Sequence, residues 1–146
     1  YAQGYRKMVI INGHGGNTFK SMIRALSLDY PDFLIASSDW FAFVTAKEDF
    51  DVPGYHADEM ETSVMMHYHP DLVNLDEAGN GDYKKFTSQM LNEKVAWIPR
   101  NWQKDSQDTG IGNPKKASAG KGKKYAEAVV AKYALLFEEL VHKELY

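Results

Sequence analysis

Along the first 40 residues the apolar positions change period twice. Met8-Val9-Ile10-Ile11 is a continuous, largely β-branched run that empties into the turn-rich string NGHGGN, which predicts a fully buried strand over residues 7–11. Phe19, Met22, Ile23, Leu26 and Tyr30 then follow the i, i+3, i+4 rule. They predict an amphipathic helix capped by Asn17 or Thr18, running to about Asp29 and stopped by Pro31. Residues 33–36 return to a short buried strand. Strand, helix and strand within about 30 residues predict a βαβ crossover in a parallel sheet.

Beyond a turn at Pro53-Gly54, the string HADEMETSVMMHYHP predicts a helix over 58–68, ended by Pro70. Residues 74–92 are polar and loop-like, 95–98 read as a short strand, and 101–116 are turn-rich. Ser118 opens a long amphipathic helix reaching about residue 145. Its apolar stripe is Tyr125, Val129, Tyr133, Leu136 and Leu140, widened by Val130 and Phe137. No repeat, linker or second domain interrupts this order, so residues 1–146 read as one α/β domain.

Composition narrows the function classes. A chain of 146 residues is long enough for one real core. The absence of cysteine excludes disulfides and thiolate metal sites. A net charge of −3 gives no electrostatic reason to expect nucleic acid. No apolar stretch approaches the ~20 residues of a membrane helix and no signal peptide is visible, so the expected compartment is cytoplasmic. The chain opens Tyr-Ala-Gln-Gly without methionine and reaches its first strand by residue 7, the pattern of a processed protein or of a chain entering mid-domain.

In open α/β sheets, sites lie at the carboxyl ends of the strands, where NGHGGN and SSDW both fall. Gly13, Gly15 and Gly16 are expected to permit positive φ and close backbone approach around His14. Neither G-x-x-x-x-G-K-[ST] nor G-x-G-x-x-G is present, which disfavours a nucleotide-binding module. The residues alone leave two readings of His14: a turn histidine satisfied by backbone, or an imidazole presented to a metal. A second constellation holds His56, Asp58, Glu59 and Glu61. Glu59 and Glu61 diverge by ~200° on a helix, so one faces inward. Asp58 reads as negative charge favoured at a helix N-terminus, whereas Glu61 precedes Thr62-Ser63 and a Met-rich face expected to be buried. Imidazole and carboxylate suit zinc or manganese and equally suit general acid–base work.

Other conspicuous residues have plain readings. His67 and His69 sit at a helix end beside Pro70, and His142 is solvated. Lys115, Lys116, Lys121, Lys123 and Lys124 read as a solvated basic face. Trp40, at a strand end, reads either as core or as an aromatic wall over a substrate. Trp97 and Trp102 read as packing residues.

Taken together, VIINGHGGN, SSDWF, HADEMETSVMMHYHPDLV and GIGNPKKASAGKGKKY resemble, in order and spacing, the C-terminal half of the creatininase (creatinine amidohydrolase) family. The family pattern is approximately N-G-H-G-x-N, then H-A-x-x-x-E-T-S with P-D-L-V, then G-x-x-G-x-P-x-x-A-S-x-x-K-G. The resemblance implies a three-layer α/β/α sandwich around a mainly parallel sheet, here without its N-terminal part. It implies a homo-oligomer, commonly a hexamer. The implied activity is hydrolysis of amide-type, often cyclic, C–N bonds through water activated by two divalent ions, zinc or manganese. By position, His14 and Glu61 match metal ligands, His56 matches a histidine that transfers a proton, and Trp40 matches a tryptophan that closes over the substrate.

Departures from the pattern matter. Creatininase itself resembles N-G-H-Y-E-N, where this chain has Gly15 and Gly16, and it carries a glutamate where this chain has Tyr55. Gly15 and Tyr55, with Trp40, are therefore expected on the substrate side, and a formamide or lactam-like substrate is as well matched as creatinine. The family's remaining ligands lie in an N-terminal E-x-H-G…D segment, which has no counterpart in these residues. Hence an alternative expectation, a catalytically inactive creatininase-like domain serving oligomerisation or ligand binding.

Overall fold

The computed structural model describes residues 1–42, 49–51 and 54–145; Pro53 of the predicted turn lies outside them. The chain divides into two compact units, Tyr1–Thr45 with Glu127–Tyr146, and Ala46–Ala126.

In the first unit, β1 (Lys7–Asn12) pairs in parallel with β2 (Leu34–Asp39), setting Lys7 opposite Leu34 and Asn12 opposite Asp39. The helix α1 (Lys20–Asp29) connects them, giving the predicted βαβ order. Both strands outlast their apolar runs, because the ladder satisfies the backbone of Ser37, Ser38 and Asp39 whatever their side chains. The helix starts later than predicted. Phe19 is its N-cap and, being apolar, offers no side-chain bond, while the amide of Asn17, a predicted cap, bonds to Asn12 instead.

The expected full burial of β1 is not found: Met8 is 40% exposed and Ile11 52%. Among the described residues β1 pairs with β2 alone, and α1 has no buried residue. Two parallel strands cannot shield both of their own faces. From Glu127 onward the helix α5 (Ala119–His142) belongs to this unit. The hydroxyl of Tyr133 donates to the Ser38 carbonyl at 3.4 Å. The Lys7 ammonium donates to the carbonyl of Leu140, one of the last helical carbonyls, which lack a partner within the helix.

The second unit carries α2 (Glu59–Tyr68), close to the predicted bounds, and a 3₁₀ turn at Pro70–Leu72. The predicted loops hold two single helical turns, α3 (Gln89–Asn92) and α4 (Trp102–Asp105), and a 3₁₀ turn at Pro114–Lys116. No strand forms over residues 95–98, where Val95, Trp97 and Ile98 are all exposed. The Val95 N–H bonds back to the carbonyl of Met90 in α3, with Lys94 at φ 61°, which diverts the chain from extension. Two isolated antiparallel bridges appear instead, His56 with Ile111 and Tyr83 with Ser106.

This unit's buried apolar residues include Phe50, Ile111, Tyr125 and Ala126. Gly122 of α5 lies so close to α2 that a Cβ there would strike the Ser63 carbonyl. Ser118 opens α5 as predicted, its hydroxyl accepting from the Lys121 N–H at 3.3 Å. The predicted stripe of α5 is narrower than its sequence pattern: Tyr125, Val129 and Tyr133 are buried, whereas Val130 and Phe137 are exposed. No helix among the described residues is long and apolar enough to cross a membrane.

Candidate functional site

The loop after β1 is organised by Asn12, a side chain only 2% exposed. Its Nδ2 donates to the His14 carbonyl at 2.9 Å and to Asp39 Oδ1 at 2.7 Å. Its Oδ1 accepts from the His14 N–H at 3.1 Å and from Asn17 Nδ2 at 3.0 Å. All four hydrogen-bonding positions of the amide are thus used, and they fix the loop that presents His14. Asn12 drew no attention in the sequence. The available signal was an asparagine at each end of the glycine turn, since such side chains bond to local backbone in turns.

His14 itself is exposed. Its Nδ1 accepts from the Gly16 N–H at 2.9 Å. The glycines are not used as expected: positive φ among glycines occurs at Gly4, Gly81 and Gly112, so Gly13, Gly15 and Gly16 need none. Gly16 serves space instead, because a Cβ there would lie 3.0 Å from the His14 ring. Gly15 sits against Phe41, and a Cβ there would make only ordinary contact at 3.7 Å. Trp40 is half-buried at the end of β2, its backbone N–H donating to the Asn12 carbonyl and its ring edge-on to Phe41 at 6.2 Å. His14, Gly15 and Trp40 belong to the first unit; Tyr55, His56 and Glu61 belong to the second.

His56 is half-buried, and its backbone is clamped to Ile111, a residue with no exposed surface. The His56 N–H donates to the Ile111 carbonyl at 3.3 Å, and the Ile111 N–H returns the bond at 2.8 Å. The imidazole meets Trp102 edge to face, centroids 5.3 Å apart. Trp102 is therefore a neighbour of a candidate functional group rather than simple packing, and Trp97, 83% exposed, is not packed either. Tyr55 is 61% exposed, its ring against Tyr83 at 6.4 Å.

Around α2 the structure separates the carboxylates. Asp58 is the N-cap, accepting from the Glu61 N–H and the Gly54 N–H, both at 3.0 Å. Glu61 is half-buried and reaches back over the cap, its Oε2 accepting from the Ala57 N–H at 2.7 Å, an arrangement close to a capping box. The most inward carboxylate is Glu59, at 1% exposure. It pairs with the Lys121 ammonium and accepts from the Asp51 N–H at 3.0 Å.

The lysine cluster is likewise not simply solvated. Lys116 pairs with Asp51 at 2.6 Å and Lys124 with Asp49 at 2.5 Å. Hydrogen bonding to Lys116 holds the Asp51 carboxyl below its ordinary value, and the same bond pushes the Lys116 ammonium up. His67 and His69 stand at the end of α2, the His69 N–H donating to the Met65 carbonyl, as expected of helix-end residues.

The His14 imidazole and the Glu61 carboxylate are each of a kind that suits a divalent ion. No group of three or more histidine, aspartate or glutamate side chains able to hold a metal occurs among the described residues.

The creatininase profile (creatinine amidohydrolase) matches residues 1–137. The chain belongs to the creatininase family. A creatinine amidohydrolase-type protein from Bacteroides fragilis is similar over 99% of the chain, at 57% identity and a TM-score of 0.95. Two structures of one creatininase point mutant, one of the Zn–Zn type and one complexed with creatine, each cover 94% of the chain at 23% identity and a TM-score of 0.70; at that identity they establish a shared creatininase-like α/β fold. The chain spans 58% of the Bacteroides protein's length, and 57% and 58% of the chain in the two creatininase structures. No curated protein matches it.

Proposed function

We propose that this creatininase-family chain serves a metal-dependent hydrolase of amide-type, often cyclic, C–N bonds, and that residues 1–146 act as one creatininase-like domain within it. Family membership across residues 1–137 carries the reading. His14 and Glu61 each contribute one ligand to a divalent metal site. The remaining ligands come from an E-x-H-G…D segment outside these residues. The Zn–Zn type of one related creatininase supports zinc, with manganese as the second choice. A bound divalent ion supplies Lewis acidity at the carbonyl and a water ionisable near neutral pH.

The chain's own residues then have distinct tasks. Asn12 holds the loop so that His14 is aimed before any ligand arrives. His56, immobilised by Ile111 and Trp102, holds a proton on its imidazole and delivers it to the departing nitrogen as the C–N bond breaks. Water adds to the carbonyl carbon and the C–N bond breaks, giving an acid and an amine from an open-chain amide and a single ring-opened product from a cyclic one. Trp40 and Tyr55 supply aromatic surface to the substrate, and Gly15 keeps that side open. A formamide or lactam-like substrate suits these positions as well as creatinine does. The assembly is a homo-oligomer, a hexamer by family resemblance, in the cytoplasm, with a small-molecule partner rather than nucleic acid or membrane.

The test uses protein from the complete reading frame. Bound metal is measured by elemental analysis, and ring opening of creatinine and of a lactam, and amine release from an N-formyl amine, are followed for the parent and for His56→Ala. Retained zinc or manganese with hydrolysis lost in His56→Ala is expected. Protein that binds no divalent ion and cleaves none of the three overturns the proposal in favour of a silent domain.

A further inference from the structure

Beside His56 the second unit builds an aromatic box around one arginine. The Arg100 guanidinium lies 5.3 Å from the centroid of Tyr83, 5.6 Å from Trp102 and 6.0 Å from Tyr55, all within cation–π range. Trp102 is also the ring that meets the His56 imidazole, edge to face at 5.3 Å. Lys94 brings a second cation over Tyr55, its Nζ 5.8 Å from the ring centroid. Arg100 pairs through Nη1 with Oδ2 of Asp105 and stays 25% exposed. One carboxylate occupies at most two of the five N–H donors of a guanidinium, so this pair orients Arg100 without using it up.

Beside the box lies a groove of about 590 Å³ that shares Tyr83 and Asp105 with it, a volume in the range of small-ligand sites. Across box and groove the cations Lys84, Lys94, Arg100 and Lys104 outnumber the carboxylates Asp82 and Asp105. That surplus stands out in a chain whose net charge is −3.

We infer that Arg100, with Lys94, is a specificity-determining residue that selects a substrate bearing an anionic group. The anion takes the remaining Arg100 donors while the scissile amide lies toward His56. The aromatic walls hold the planar guanidinium in place and partly desolvated, which strengthens a charge-assisted bond relative to one in open water. Creatinine, which has no anionic group, is then a poor match, whereas a carboxylated or phosphorylated amide is a good one. This inference rests on the amide-hydrolase reading for its chemistry but not for its binding.

The experiment is calorimetric titration of the complete protein with 5-oxoproline, with 2-pyrrolidinone (the same ring without the carboxylate) and with inorganic phosphate. 5-Oxoproline is expected to bind about tenfold or more tighter than 2-pyrrolidinone. Arg100→Gln removes that preference, Arg100→Lys keeps part of it, and Lys94→Gln reduces it. Phosphate that displaces 5-oxoproline assigns the anion site to either source; phosphate that does not restricts it to carboxylates. Equal binding of the two rings, no binding of either ring, or a preference unchanged in both Arg100→Gln and Lys94→Gln overturns the inference. Hydrolysis assays on the same samples separate the two claims. Anion preference without turnover removes the hydrolase reading alone, and turnover of uncharged amides without anion preference removes this one alone.

Discussion

The carboxylate of Glu59, with 1% of its surface exposed, is paired with the ammonium of Lys121, five residues past the 3₁₀ turn that carries Lys116. The pair ties the start of α2 to the start of α5, and Asp51 joins it through its backbone N–H. Removing the cation alone strands a buried negative charge, which is costlier than never having had the pair. Lys121→Met is expected to lower unfolding stability by roughly 3 kcal/mol, and a compensating Glu59→Gln in the same chain to restore part of it. Denaturant titration of the single and double variants checks this; a loss below about 0.5 kcal/mol, the scale of an exposed pair, would contradict it.

The neighbouring pair behaves differently because it is exposed. The lowered carboxyl of Asp51 means its tether is complete above the ordinary value of 3.8 and is lost as pH falls through its depressed value. The raised ammonium of Lys116 means the tether persists below 10.5 and is lost only as pH rises beyond it. No change is expected across neutral pH. In Lys116→Gln the midpoint of the Asp51 carboxyl, followed by NMR, should climb toward 3.8, and added salt should produce a smaller shift in the same direction. An unmoved midpoint would disprove the pairing.

Gly16 and Gly13 should part company. A methyl at Gly16 meets the His14 ring at 3.0 Å, while one at Gly13 meets nothing within 4 Å. Because His14 is exposed, the ring can yield, so stability should change by no more than about 0.5 kcal/mol in either variant. Gly16→Ala should displace the imidazole, changing the His14 ring resonances and weakening zinc retention in the complete protein. Gly13→Ala should do neither, and identical behaviour of the two variants would refute the assignment of Gly16 as a spacer.

Gly122 faces backbone rather than a movable ring. Gly122→Ala drives a methyl into the Ser63 carbonyl, and the helices must separate. A loss of about 1–3 kcal/mol is expected from overpacking, despite the better helix propensity of alanine. A thermal midpoint equal to or above the parent's would exclude such close packing.

These contacts show which parts of the molecule were legible in the sequence. The βαβ order and the long α5 follow from local periodicity, and α2 from its start and stop signals, all of them local features of the chain. What failed depended on partners distant in sequence. The run over 95–98 has strand-like residues, but the turn closing α3 diverts it and no neighbouring strand receives it. The choice between Glu59 and Glu61 turned on Lys121, 62 residues from Glu59. His14 and His56 stand out in the sequence as candidates because glycine-rich and acidic neighbours mark them. Arg100 and Trp102 carry no such mark, and their proximity to His56 arises only when Ile111 draws that loop back.

The engaged amide of Asn12 has a bearing on chemical ageing. Asn12-Gly13, like Asn80-Gly81, is an Asn-Gly pair, a dipeptide prone to deamidation because glycine leaves its N–H unhindered to attack the preceding side-chain carbonyl. Here that side chain is held by four hydrogen bonds and turned to its own loop, so cyclisation must wait for the loop to open. Conversion to aspartate would replace the donor facing Asp39 with a second negative oxygen, ending the arrangement that aims His14. The rate of isoaspartate appearance at this dipeptide, against that in a short peptide of the same sequence, is therefore a clock for how often the loop lets go.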